Sequence, residues 1–154
     1  MAGVELRPEP PESEIGARLL AAYAAAIQER YPEWSPAQKP TADPAEISPP
    51  TGCFLVAYAD GEPVGCGAFK RLDDKACEVK RVYVAPEARG LGLARTILAA
   101  LEDAARAAGY TVARLDTGAR LEGAAELFRS AGYEDIADYN DNAMADFWLE
   151  RRLI

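Results

Sequence analysis

The run from Val84 to Leu98, VAPEARGLGLARTIL, sets Gly90 and Gly92 where an apolar strand gives way to a helix, with Arg89 beside them. The first N–H groups of a helix have no internal partner and lie at its positive end, and glycines let a bulky anion approach them closely. The chemistry on offer is main-chain binding of a phosphate-like group. The two glycines alone describe a tight strand-to-helix turn at positive φ equally well. A Walker A loop is excluded because no Gly-Lys-Ser/Thr follows. GLGLAR begins like G-x-G-x-x-G, and Asp116 comes at about the spacing of ~20 residues that a dinucleotide site uses. Against that reading, Arg95 replaces the third glycine, APEAR separates the strand from the turn, and the preceding strands read as antiparallel.

The chain has no histidine, so any catalytic base is a carboxylate, a tyrosine, a thiolate or a water. Cys53, Cys66 and Cys77 form neither an even set nor a CxxC pair. That pattern argues against a disulfide framework or a zinc site and for reduced, buried thiols. With no histidine to activate them, an acyl-cysteine is not expected. Lys plus Arg number 17 against 25 Asp plus Glu, a net charge of −8, which disfavours nucleic acid and suits a cationic or neutral small partner. No apolar run approaches the ~20 residues that span a bilayer, and MAGVELRPEP lacks a basic region followed by an apolar one. A cytoplasmic protein with no membrane partner is the expectation.

The elements that must position these residues follow from local pattern. At 154 residues, one domain over 1–154 is expected. VELR (4–7) reads as a short strand, and Ser13 as the N-cap of a helix with the stripe Ile15, Leu19, Tyr23, Ile27, Tyr31. The proline-rich stretch from Pro32 to Pro50 reads as a flap with room for a helical turn near Asp43 to Ile47. CFLVAYA, the turn DGEP and VGCGAFKRL form a hairpin, with Pro63 suggesting a loop longer than two residues, and ACEVKRVYVA adds a third antiparallel strand. Leu93, Ile97, Leu101, Ala104 and Ala108 mark a helix ending at Gly109. YTVARLDTG is a strand, Glu122 to Ala131 a helix stopped by Gly132, and DFWLERRL a final strand. The sum is an α/β (α+β) fold with helices against a mixed sheet.

VKRVYVAPEARGLGLARTIL resembles motif A of the GNAT superfamily of acyl-CoA-dependent N-acetyltransferases: a strand, then Arg/Gln-x-x-Gly-x-Gly/Ala, matched by Arg89, Gly92 and Ala94. AAELFRSAGYE resembles motif B, a helix ending in a Gly-aromatic pair, here Gly132 and Tyr133. The likeness covers about residues 53 to 153, and LDTG, SAGY, YNDN and the late Trp resemble a bacterial subgroup of small GNAT proteins, many of unassigned substrate. The resemblance implies a mixed, mostly antiparallel central sheet with helices on both faces. It implies acetyl-CoA as co-substrate and no metal. The pyrophosphate would lie on the turn Gly90, Leu91, Gly92, Leu93, Ala94 and Arg95 beside Arg89, and the pantetheine arm along Val82, Tyr83 and Val84. An amide-rich arm satisfies a splayed strand as an extra strand would.

By the same resemblance Glu78 is the candidate base, acting directly or through a water, and a main-chain N–H near Val82 is the oxyanion donor. A solvated carboxylate paired with Lys80 or Arg81 is the other reading of Glu78. Motif B commonly supplies a tyrosine as general acid, but Leu121 stands here in its Asn position and Phe128 in its Tyr position. Tyr139 or Tyr133 substitutes, or the thiolate leaves unassisted; Tyr139 is the candidate carried forward. Arg81, Asp116, Tyr139, Asn140, Asn142 and Trp148 are the candidate acceptor pocket. The implied reaction moves an acetyl group to a primary amine of a small, amino-acid-like molecule by direct attack in a ternary complex. A noncatalytic acyl-CoA-binding domain and a peptide N-acetyltransferase are the alternatives. Dimers are frequent in the family, so a homodimer stays open.

Overall fold

Ser13 begins the first helix as its type predicts: its side chain accepts the N–H of Gly16 at 3.0 Å, and helix α1 runs Glu14–Arg30. The computed structural model describes residues 3–34 and 43–154, so the centre of the expected flap, residues 35–42, lies outside the described residues. The described part of that stretch holds a 3₁₀ turn at Pro44–Ile47, with Ile47 buried.

Strands β1 (Val4–Pro8), β2 (Cys53–Ala59), β3 (Glu62–Arg71), β4 (Ala76–Val84), β5 (Val112–Thr117), β6 (Glu134–Ile136) and β7 (Phe147–Arg152) form one sheet in the order β1-β2-β3-β4-β5-β7-β6. Every pairing is antiparallel except β4 with β5. Helix α2 is Leu93–Ala107 and α3 is Ala124–Ser130.

Alternation along β2 explains why helices cover both faces. Leu55 and Ala57 pack with α2 residues Leu93, Ile97, Leu98 and Leu101 and with Phe128 of α3. Phe54, Val56 and Tyr58 point the other way, to Leu19 of α1 and Ile47. Helix α2 sits directly on β3 at Gly67, where an added Cβ would come within 2.6 Å of Ile97 Cγ2 and 2.8 Å of Leu101 Cδ1. Its C-terminus closes as a Schellman motif: Gly109 N–H reaches Arg106 O at 3.0 Å and Tyr110 N–H reaches Ala105 O at 3.0 Å.

Three local readings change. The β2–β3 loop has two residues, not more: Ala59 pairs with Glu62, and Asp60 (φ 51°) and Gly61 (φ 84°) both take the left-handed conformation that a type I′ turn needs. Pro63 is absorbed by a register shift between Ala57 and Tyr58 instead. Helix α3 begins at Ala124 rather than Glu122, because Gly123 turns left-handed (φ 81°) as its N-cap. Strand β6, pairing only with β7, was absent from the sequence reading.

The feature that matters for function is a splay. Strands β4 and β5 pair over only Ala76–Val112, Cys77–Ala113 and Glu78–Arg114, after which β4 runs on to Val84 without β5. A register shift against β3 between Cys66 and Ala68 accompanies it, with Arg81 at φ 58°, and re-aims the side chains that follow.

Candidate active site

A cavity of about 910 Å³ occupies the splay. Val82, Tyr83 and Val84 of β4 form one wall and Leu115, Asp116 and Thr117 of β5 the other; Tyr23 and Ile27 of α1 and Phe128 of α3 also line it. Arg89 and Ala94 bring the start of α2 to the same cavity.

That start leaves main-chain N–H groups without helix partners. The first rung of the α2 ladder joins Thr96 N–H to Gly92 O at 3.1 Å, so the N–H groups of Leu93, Ala94 and Arg95 precede it. Gly90 (φ 84°) and Gly92 (φ 76°) turn left-handed, and a Cβ on either would meet nothing within 4 Å. The glycines therefore serve backbone conformation and open approach, not close packing. Arg89 Nε donates to Val84 O at 3.0 Å, tying the turn to the end of β4. Leu91 is exposed, Leu93 is buried in the core, and Arg95 Nη1 donates to Ser130 Oγ at 3.0 Å.

Five of the candidate acceptor residues, Asp116, Tyr139, Asn140, Asn142 and Trp148, meet Glu78 in one hydrogen-bonded cluster, and Arg81 lies toward the Tyr23 ring. Glu78 is 3% exposed, so it is not a solvated carboxylate, although the pairing with Lys80 that went with that reading is present. Lys80 Nζ donates to its Oε1 at 3.0 Å, and Tyr139 Oη and Asn140 Nδ2 donate to its Oε2 at 2.6 and 3.2 Å. Burial alone would raise this carboxyl, but the Lys80 ammonium and the Tyr139 hydroxyl outweigh it and hold it below the usual carboxylate range. The Tyr139 phenol is pushed upward by burial and by the Glu78 charge, so it keeps its proton. Neither Glu78 nor Tyr139 is among the described residues lining the cavity; Lys80, Arg81, Asp116 and Asn142 are.

Asn140 Nδ2 also donates to Asp116 Oδ2 at 2.6 Å, and Asn142 Nδ2 donates to the same oxygen at 3.2 Å. Trp148 Nε1 donates to Asn140 Oδ1 at 2.9 Å. Among the described residues, both contacts to the Asp116 carboxylate fall on Oδ2, and Asp116 lines the cavity. The Arg81 guanidinium lies 5.9 Å from the Tyr23 ring centroid, on the α1 side of the cavity. Tyr23 and Lys80 were not singled out as functional from sequence. Tyr23 belongs to a regular helix stripe and Lys80 to an ordinary strand, and neither carries a signal beyond that.

Tyr133 is removed from the acid–base candidates. Its hydroxyl donates to Glu102 Oε2 at 2.8 Å, and Arg151 Nη1 donates to Glu102 Oε1 at 2.6 Å. Phe128 packs edge-on against the Tyr133 ring at 5.9 Å. The three cysteines are free, with burial raising Cys53 to about 11 and Cys66 and Cys77 to about 12. Such thiols make poor nucleophiles at neutral pH. Among the described residues no group of three or more Cys, Asp and Glu is placed to hold a metal ion, and no helix is long and apolar enough to cross a membrane.

Comparison with known proteins agrees with this geometry. The profile of the Acetyltransferase (GNAT) family matches residues 18–133. The chain is 34% identical over 137 residues to a protein named IAA acetyltransferase from Azospirillum brasilense, covering 88% of this chain and 87% of that one. Among solved structures, an acyl-CoA N-acyltransferase so described from Klebsiella pneumoniae superposes with a TM-score of 0.77 at 29% identity, covering 98% of each chain. A GNAT acetyltransferase from Elizabethkingia anophelis, solved with acetyl-CoA bound, shares the fold at a TM-score of 0.70 and 15% identity, covering 99% of each chain. The anion-ready turn, the splayed strands and these matches place the chain in the Acetyltransferase (GNAT) family, as an N-acetyltransferase that draws its acetyl group from acetyl-CoA.

Proposed function

We propose that the acceptor is a primary amine of a small, amino-acid-like molecule, attacked directly in a ternary complex with acetyl-CoA. The observation that carries this reading is a single cavity lined by Arg89 and Ala94 at the start of α2 and by Asp116 at the other wall of the splay. The donor's pyrophosphate lies on the N–H groups from Gly90 to Arg95, with Arg89 adding charge. Its pantetheine arm runs along Val82, Tyr83 and Val84, where β4 has parted from β5.

Asp116 Oδ1 receives the acceptor as an ammonium, which Asn142 flanks. An alkylammonium has a pKa of about 10.4, so a proton must leave before attack. Glu78, ionised and 3% exposed, takes it through a water rather than by direct contact. The nitrogen lone pair then attacks the thioester carbonyl carbon, and a main-chain N–H near Val82 stabilises the oxyanion. As the C–S bond breaks, the nitrogen sheds its second proton and the coenzyme thiolate gains one. Phe128 gives none, so that transfer passes between substrates or through water. Tyr139 works on Glu78, keeping it oriented and ionised, and is a positioning residue.

A thiol-release assay against a panel of amines and amino acids tests the reading. Turnover that saturates with an amine and collapses in Asp116→Asn supports it. Absence of turnover with every amine, while acetyl-CoA binds by calorimetry, would remove the small-amine acceptor.

A further inference from the structure

We infer that Asn140, fixed in one orientation by Trp148, is a positioning residue that makes Glu78 and Asp116 act as one unit toward the acceptor. The inference rests on Asp116 and Glu78 having the roles proposed above.

A carboxamide has an oxygen end that only accepts and a nitrogen end that only donates, and it turns over freely unless its partners distinguish the two. Here they do. The indole N–H of Trp148 is a donor without acceptor capacity, and it meets Asn140 Oδ1 at 2.9 Å. The main-chain N–H of Asn142 meets the same oxygen at 3.2 Å. The nitrogen end is thereby turned to the two carboxylates, with Asp116 Oδ2 at 2.6 Å and Glu78 Oε2 at 3.2 Å. Both amide hydrogens are used, one for each carboxylate. Reversing the amide would set its oxygen against two carboxylate oxygens and its NH₂ against an indole N–H, which is repulsive at every contact.

The orienting indole is itself placed by the sheet. Trp148 is the cross-strand partner of Asp116 in the β5–β7 ladder, so the residue that sets the amide and the carboxylate that the amide holds share one register position. With Oδ2 of Asp116 occupied by the two amides, the carboxylate cannot rotate without giving up both bonds. Its other oxygen is left for the acceptor proposed above, and Asp116 itself lines the cavity. Neither Asn140 nor Trp148 is among the described cavity-lining residues, so on this inference both act on the acceptor through the carboxylates rather than by the direct contact expected from the sequence.

Four variants test this. Asn140→Asp keeps size and keeps an acceptor for the indole but replaces the shared donor with a third negative charge. It should lower kcat/KM for the amine by about 10- to 100-fold, the scale of lost bonds to charged groups. The KM for acetyl-CoA should stay within about twofold, since the cofactor wall is untouched. Trp148→Phe keeps the ring and removes the N–H, and should cost about fivefold on the same parameter, as for one neutral bond. The double variant should lose no more than Asn140→Asp alone, because both act through one amide. The indole N–H resonance, assigned by its disappearance in Trp148→Phe, should persist in Asn140→Asp and report a folded site. Unchanged amine kinetics in Asn140→Asp, or losses that multiply in the double variant, would overturn the inference. Asp116→Asn separates the two levels. If it abolishes amine turnover while Asn140→Asp is silent, the positioning role alone fails; if it is silent, the acceptor assignment fails and takes the positioning role with it.

Discussion

The Tyr133 hydroxyl is bound to Glu102 at 2.8 Å, on the α2 face of the sheet, with its ring edge-on to Phe128. The tyrosine of the Gly-aromatic pair is therefore a partner for a buried carboxylate, which Arg151 meets from the other side. Glu102 is 4% exposed and needs both donors.

Tyr133→Phe should consequently lower stability without touching the rate. Removing one donor from a buried carboxylate costs about 1–3 kcal/mol. Denaturant unfolding should show a loss of that size, while kcat for acetyl transfer stays at the parental value. A large fall in kcat with unchanged stability would return Tyr133 to the acid–base machinery.

Glu78 carries a pH signature of definite sign. Its carboxyl is held below the usual range in the folded protein, so its contribution to stability is fully present above the unfolded value of about 4.3 and fades as pH falls through the lower folded value. Thermal unfolding of the parent and of Glu78→Gln should differ at neutral pH, and the difference should shrink progressively once the pH falls below the unfolded value. In kinetics, Glu78→Gln should lower kcat by about 10²- to 10⁴-fold if it serves as the base. A gap in Tm that widened on acidification would contradict the ionised, paired state.

Gly92 is a test of the anion turn that packing does not confuse. At φ 76°, with open space where a Cβ would stand, Gly92→Ala adds no clash and only the left-handed cost of about 1–2 kcal/mol. Relief of that strain moves the backbone that presents the N–H groups of Leu93 and Ala94. Calorimetry with coenzyme A should report weaker binding by about tenfold, with the amine KM little changed.

The thiols should be silent. Burial raises Cys66 and Cys77 to about 12, and both are 0% exposed. A thiol reagent such as dithionitrobenzoate should label neither in the native protein at pH 7.5, and all three cysteines once denaturant is added. Rapid native labelling of Cys66, whose Sγ lies 3.4 Å from Arg81 O, would point to opening of β4 at its bulge.

What the sequence told and what it withheld divide by the range of the forces involved. Ser13, Gly109 and Gly92 were legible because caps and left-handed turns are local chemistry, decided by a few neighbouring residues. Pro63 misled because its own preference was weighed without the register shift that accommodates it, and a shift depends on the partner strand. Strand β6, at three residues, has too little length for any periodic signal and exists by pairing with β7. In the candidate site, Glu78, Asp116, Asn140, Asn142 and Trp148 were legible as candidates by residue type in a resembling order. Their connections were not: Asn140 lies 62 positions from Glu78, and which of its atoms faces which carboxylate follows from the sheet that brings Trp148 opposite Asp116. Tyr23 and Lys80 were invisible as site residues because lining a cavity depends on where α1 crosses the splay.

The three-pair contact between β4 and β5 also acts as a ruler. Each parallel pair advances a strand by about 3.3 Å, so with the donor arm along β4 as proposed, the last pair, Glu78 with Arg114, sets how deep into the sheet that arm reaches before it meets closed backbone. One pair more would push the reacting carbon outward by about that distance, past the reach of a carboxylate fixed on β5. One pair fewer would let it sink below the acceptor. On that proposed placement, depth of insertion, and with it the size of acyl group that fits between arm and amine, is counted out in residues at the point where two strands stop touching.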